Sequence, residues 1–126
     1  MKLSPQWVRE FVDLTVDDRR LADDLTAVGI AVEGISGSGP DTVFEMEIGT
    51  NRPDAMNHYG VAREAAAIYD LPLKPIDSNL PPIKANAEFP IQVEEPQLCP
   101  RFSARVIRGV TIKPSPEKIA HRLQLL

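Results

Sequence analysis

An α+β fold is predicted by three observations: capped helical stripes before residue 30, polar–apolar alternation on both sides of a Gly/Ser/Pro loop, and an alanine-rich helical stripe that ends at Leu71-Pro72. The first element is a short helix. Ser4-Pro5 reads as N-cap and first helical residue, and Leu3 and Val8 occupy hydrophobic-staple positions. Trp7, Val8, Phe11 and Val12 form its apolar face, which places Trp7, the only Trp, toward a core. Thr15 is the expected cap of a second helix, with Asp17 and Asp18 near its positive end. Leu21, Leu25 and Val28 recur at helical spacing, and Gly29 is a natural stop. Asp23 and Asp24 fall on the solvated side.

Next comes a hairpin. Ile30–Ile35 is expected to pair antiparallel with Val43–Ile48, because Ser36-Gly37-Ser38-Gly39-Pro40-Asp41 can only be loop. Phe44, Met46 and Ile48 alternate with Glu45 and Glu47, as in a half-buried strand. Two carboxylates on one strand face could serve acid–base chemistry, but no His accompanies them, and a solvated face is the simpler account.

Asn51-Arg52-Pro53-Asp54 is turn chemistry. Asn tolerates left-handed backbone, Pro53 drives Arg52 toward an extended conformation, and Asp54 is a preferred N-cap, so a helix is expected from Ala55. So crowded a charged turn predicts partners for Arg52 and Asp54. By spacing it is a structural strand-to-helix connection rather than a ligand contact. His58 is isolated and reads as a hydrogen-bonded or exposed structural residue. Val61, Ala65 and Ile68 continue as a helical stripe, with Ala62, Ala66 and Tyr69 beside it.

Residues 72–88 read as a stiff, proline-rich linker between an N-terminal domain (1–71) and the truncated start of a second (89–126). Beyond the linker, Phe89, Ile91 and Val93 alternate. Phe102, Ala104, Val106, Val110 and Ile112 then share one face of a longer expected strand, with Arg101 and Arg105 on the other. Ser115-Pro116 repeats the cap-and-first-turn device before an apolar stripe of Ile119, Leu123 and Leu126, which is still running at the last residue and suggests truncation.

Composition narrows the function. The 126 residues carry 14 Lys and Arg against 18 Asp and Glu, a net charge of −4. That argues against a free-standing nucleic-acid binder, whose affinity rests on neutralising phosphates. Cys99 is alone, which excludes a disulfide framework and a thiolate metal cage. There is no apolar leader and no run of membrane-spanning length, so a soluble cytoplasmic protein is expected. No Gly-rich phosphate loop and no nucleophile–base set is present, so no catalytic, cofactor-binding or metal-ligating residue is assigned.

Four separated stretches carry a family resemblance. Thr50-Asn51-Arg52-Pro53-Asp54 with Gly60-Val61-Ala62-Arg63-Glu64 resembles the N-terminal region of the bacterial phenylalanyl-tRNA synthetase β subunit. Met1–Leu14, Val28–Gly34, and Leu98–Val106 with Ser115-Pro116-Glu117 resemble its first helix, its next element and the start of a later domain. The resemblance implies a small winged-helix-like, DNA-binding-like domain with a β-hairpin, followed by the first strands and helix of an incomplete second domain that helps house editing. It also implies a cytoplasmic α2β2 enzyme that charges tRNA(Phe) with phenylalanine using ATP and magnesium. The adenylation site lies in the α subunit and the editing pocket lies beyond these residues, so this stretch should be structural and should aid assembly. Many such β subunits insert an OB-fold tRNA-binding domain between segments resembling Ile35 and Val43. Here a six-residue loop closes that gap, either naturally or as a designed linker. The motif residues Asn51, Arg52, Pro53 and Asp54 are assigned a structural role, and Arg63, Arg101 and Arg105 are candidates for RNA or subunit contact. The competing expectation is an independent winged-helix-like nucleic-acid-binding or protein-interaction module.

Overall fold

A computed structural model describes residues 1–79 and 90–126 of the chain. Much of the expected linker, with Pro81 and Pro82, and the strand residue Phe89 lie outside the described residues. The chain divides into two compact units, one of Met1–Asp77 with Ser115–Leu126 and one of Ser78–Pro114.

The first unit is mixed α and β. Strand β1 (Lys2–Leu3) leads into helix α1 (Pro5–Val8), and α2 (Asp18–Ala27) is followed by the strands β2 (Ala31–Ser36) and β3 (Val43–Glu47). Helix α3 (His58–Ile68) follows a 3-10 turn at Pro53–Ala55, and α4 (Glu117–Leu125) closes the unit. The sheet order is β1-β3-β2, and both pairings are antiparallel. The expected hairpin is therefore present, with Ala31 opposite Glu47 and Ser36 opposite Val43. Its register shifts between Val32 and Gly34, which leaves Glu33 as the extra residue of a bulge. Phe44 and Met46 are buried while Glu45 and Glu47 are exposed, as the alternation requires.

Strand β1 was not anticipated. Two residues carry no detectable period, and the strand exists because Lys2 and Leu3 sit opposite Glu45 and Phe44. A further bond from the Met46 amide to the Met1 carbonyl (2.8 Å) extends the ladder. In the β2–β3 loop, Gly37 has φ +73°, and a Cβ there would lie 2.1 Å from the Asp41 carbonyl oxygen, so only glycine closes this turn.

Helix boundaries moved where a better cap was available. Ser4 caps α1 as expected, its Oγ accepting the Trp7 amide at 3.3 Å. Helix α2 begins after Asp17 rather than Thr15, because the Asp17 carboxylate accepts the Arg20 amide at 2.8 Å. Thr15 is left in the connection, which Arg9 fastens by donating to Asp18 at 2.6 Å and to the Val16 carbonyl at 2.7 Å. The core is built from Leu3, Val8, Val12, Leu21, Leu25, Ile30, Phe44, Met46, Ala55, Val61, Ala62 and Ala65. The small alanines let α3 approach its neighbours closely. Burial of these apolar side chains is the main stabilising contribution.

In the second unit, the expected strands around Ile91–Val93 and Phe102–Ile112 are absent among the described residues. A strand is completed by ladder partners, and alternation alone supplies none. Phe102, Val106, Ile107, Val110 and Ile112 are exposed. The α4 stripe also differs from expectation: Ile119, Leu123 and Leu126 are exposed, while Arg122 is half-buried.

Candidate functional site

The Asn51–Glu64 segment is the densest polar constellation of the first unit, and its geometry explains the residue types. Arg52 has φ −121° and ψ 51°, less extended than expected before proline. Its guanidinium forks. Nε and Nη2 donate to the two Asp54 carboxylate oxygens at 3.1 and 3.0 Å, and Nη2 also donates to Glu64 at 2.6 Å. Arg63 donates to the Asp54 carbonyl at 3.2 Å and lies 3.5 Å from its carboxylate. The hydrogen bonds from Arg52 hold the Asp54 carboxyl below the usual carboxylate range, and Asp54 in turn raises the Arg52 pKa.

The expected partners of Arg52 and Asp54 are thus found, mostly in each other. The capping role of Asp54 is overturned. The Pro53–Ala55 turn has no side-chain cap bond, and the cap of α3 is Asn57, whose Oδ1 accepts the Gly60 amide at 2.8 Å. Arg52 competes for the Asp54 carboxylate, and charge-assisted donation from a guanidinium is stronger than donation from a neutral amide. In the sequence the Asn57 cap is masked by the Asp-after-Pro signal three residues earlier. Gly60 completes the motif. A Cβ at this position would stand 1.9 Å from the Asp54 carbonyl oxygen, so glycine lets α3 start against the turn.

His58, the first residue of α3, also has a defined task. Its Nε2 accepts the Ser4 amide at 3.0 Å, joining the cap of α1 to the start of α3. Its ring stacks on Trp7 with centroids 4.1 Å apart and planes 29° from parallel. Burial, aided by the charge of Arg122, depresses its pKa to about 4, so His58 is neutral at physiological pH. At the far end of α3, the Tyr69 hydroxyl donates to Asp24 at 2.7 Å, and Arg20 pairs with the same carboxylate. Burial first, and this carboxylate second, push the phenol up to about 12.

Of the remaining candidates, Asn51, Pro53 and Arg63 belong to this turn, whereas Arg101 and Arg105 lie elsewhere in the chain. Asn51 and Pro53 are exposed in the turn, and Arg63 is half committed to Asp54. Arg101 and Arg105 are exposed on chain without strand structure, so the shared strand face expected for them does not form. Cys99 donates weakly to the Arg101 carbonyl at 3.6 Å. Among the described residues, no group of three or more His, Cys, Asp or Glu side chains is placed to hold a metal ion, and no helix is long and apolar enough to cross a membrane.

A small α+β scaffold organised around an ion-paired turn is the class that fold and site define. The chain is similar over nearly its whole length to one phenylalanine–tRNA ligase β subunit and over shorter stretches to others. It is 36% identical to that of Rhodopirellula baltica over 98% of this chain and 18% of the relative. Similarity to the Burkholderia lata subunit is 43% identity over 56% of this chain and 9% of the relative. For Thermotoga maritima the values are 37%, 66% and 10%. The chain thus spans less than a fifth of the length of these relatives. No family model matches it.

Proposed function

We propose that this chain is the N-terminal structural and assembly part of a phenylalanine–tRNA ligase β subunit. Such a subunit would work with an α subunit, as an α2β2 cytoplasmic enzyme, to charge tRNA(Phe) using ATP and magnesium. The observation that carries this reading is the 36% identity along 98% of the chain to a β subunit of that name. The polar constellation fits a structural role, because Arg52, Asp54, Glu64 and Arg63 pair with one another. ATP, magnesium and the editing pocket would belong to the α subunit and to later parts of β.

On this reading, residues 1–71 form a domain, 72–88 a linker and 89–126 the opening of the next domain, although Ser115–Leu126 group with Met1–Asp77 in the compact first unit. The exposed apolar residues between Ile91 and Ile112 support it, since they need further surface to bury. A winged-helix-like description of the first domain is supported by the β2–β3 hairpin following α2. Arg101, Arg105 and the half-exposed Arg63 are the proposed contacts to RNA or the α subunit.

The test is deletion of residues 1–71 from the full-length subunit co-expressed with α. The expected result is loss of the heterotetramer on size-exclusion chromatography, together with loss of charging. Normal assembly and charging without these residues would overturn the proposal. The isolated chain is expected to give no phenylalanine-dependent pyrophosphate exchange and no hydrolysis of mischarged tRNA.

A further inference from the structure

Helix α4 meets the rest of the first unit through an unexpected face. Lys118, His121 and Arg122 lie at i, i+3 and i+4, one side of a helix. The Arg122 guanidinium sits 4.1 Å from the centre of the Trp7 ring and donates to the Glu10 carboxylate. Lys118 reaches the same carboxylate at 3.2 Å, and His121 lies 3.4 Å from Asp41. The apolar residues Ile119, Leu123 and Leu126 are exposed, so the apolar stripe is not what seats the helix.

We propose that Trp7 and Glu10 form a guanidinium-accepting shelf that docks an arginine-bearing helix on the first unit, with α4 as its occupant in this chain. Each part has a chemical reason. A planar, weakly hydrated guanidinium lies flat on an indole more readily than an ammonium does, and it still presents N–H groups to a carboxylate at the ring edge. Trp7 is held for the purpose: its amide is tied to Ser4, and its ring is stacked on His58. His58 brings no positive charge to that stack, because its Nε2 is an acceptor for the Ser4 amide. Glu10 sits three residues beyond Trp7, beside α1, and gathers both Lys118 and Arg122. The shelf does not depend on what the whole protein catalyses.

The single Trp makes the shelf directly observable. Trp7 emission and acrylamide quenching would be measured for the whole chain and for Arg122→Ala, Arg122→Lys and Leu123→Asp, together with hydrogen exchange of the 117–125 amides. Arg122→Ala is expected to red-shift the emission, raise quenching and lower α4 protection about tenfold, the combined loss of one cation–π contact and one exposed ion pair. Arg122→Lys should fall between, and Leu123→Asp should leave the emission unchanged. Core amides of α2 would confirm that each variant is folded. Trp7 emission identical in the parent and in Arg122→Ala would overturn the proposal. So would release of α4 by Leu123→Asp, which would show that the apolar face holds the helix.

Discussion

The Asp54 carboxylate accepts from Nε and Nη2 of Arg52 and caps no helix, so what it contributes is charge. Asp54→Ala, Asp54→Asn and Asp54→Ser should therefore lower the melting temperature by similar amounts, because none carries the charge that forms the two-oxygen ion pair with Arg52. Retained stability in the Asn or Ser variant alone would restore a capping role. His58 makes a pH-dependent contribution of opposite origin. Its ordinary pKa of 6.5 falls to about 4 in the folded chain, so below about 6.5 the unfolded chain takes up a proton that the folded one refuses. Stability should accordingly fall as pH drops from 6.5 toward 4, and the His58 contribution is fully present above 6.5. The Asp54 contribution behaves differently. It is present above the ordinary carboxylate value of 3.8 and is lost only at more acidic pH. His58→Gln keeps an acceptor for Ser4 but cannot titrate, so thermal melts across this range should show a shallower slope. An unchanged slope would mean that another group sets the acid limit.

Helices and strands differed in how much of them could be read from the chain. The β2–β3 hairpin was legible because alternation and a loop-only composition are both local, and Phe44 and Met46 point inward as their spacing requires. Strand β1 was not, since Lys2 and Leu3 become a strand only through partners more than forty residues away. The stretch from Phe102 to Ile112 shows the converse: its alternation predicted a strand, and without a ladder partner none forms. Helix starts were legible to within a few residues, and two misses were contests between caps; at α4 the expected Ser115 cap is replaced by Pro116, which makes no side-chain cap bond. Asp17 displaced Thr15, and Asn57 displaced Asp54 once Arg52 had claimed its carboxylate. The motif's spacing was visible from the start, but its reason required geometry. Two substitutions separate the cap of α3 from its packing. Asn57→Ala should cost about 0.5–2 kcal/mol, the usual value of a lost cap. Gly60→Ala should cost more, on the order of 2–3 kcal/mol or above, because its methyl group would collide with backbone rather than with a movable side chain. Chemical denaturation of both variants would rank them, and a harmless Gly60→Ala would show that the turn can move away from α3.

At the scale of the whole chain, the deciding quantity is how many cations remain to meet a polyanion. The net charge is −4, and the basic side chains of the first unit are largely engaged within it. Arg9 pairs with Asp18, Arg20 with Asp24, Arg52 with Asp54 and Glu64, Lys74 with Asp13, and Arg122 with Glu10. Binding a phosphate backbone would compete with these pairs, and the unspent acidic residues would repel it. An autonomous nucleic-acid module would instead present a basic face and would lose affinity steeply with rising salt, as displaced counterions return. The chain is therefore expected to show no saturable tRNA binding at physiological salt. Any association seen at low salt should vanish as salt is raised. Fluorescence anisotropy with labelled tRNA across a salt series measures this directly. Arg101 and Arg105 are the decisive residues, because both are exposed. Tight binding that disappears with Arg101→Ala plus Arg105→Ala would move function onto that segment and favour the independent nucleic-acid module. On the proposed reading, absence of binding in the isolated chain, with normal charging by the full enzyme, would leave RNA contact to other parts of the β subunit and keep these residues as scaffold.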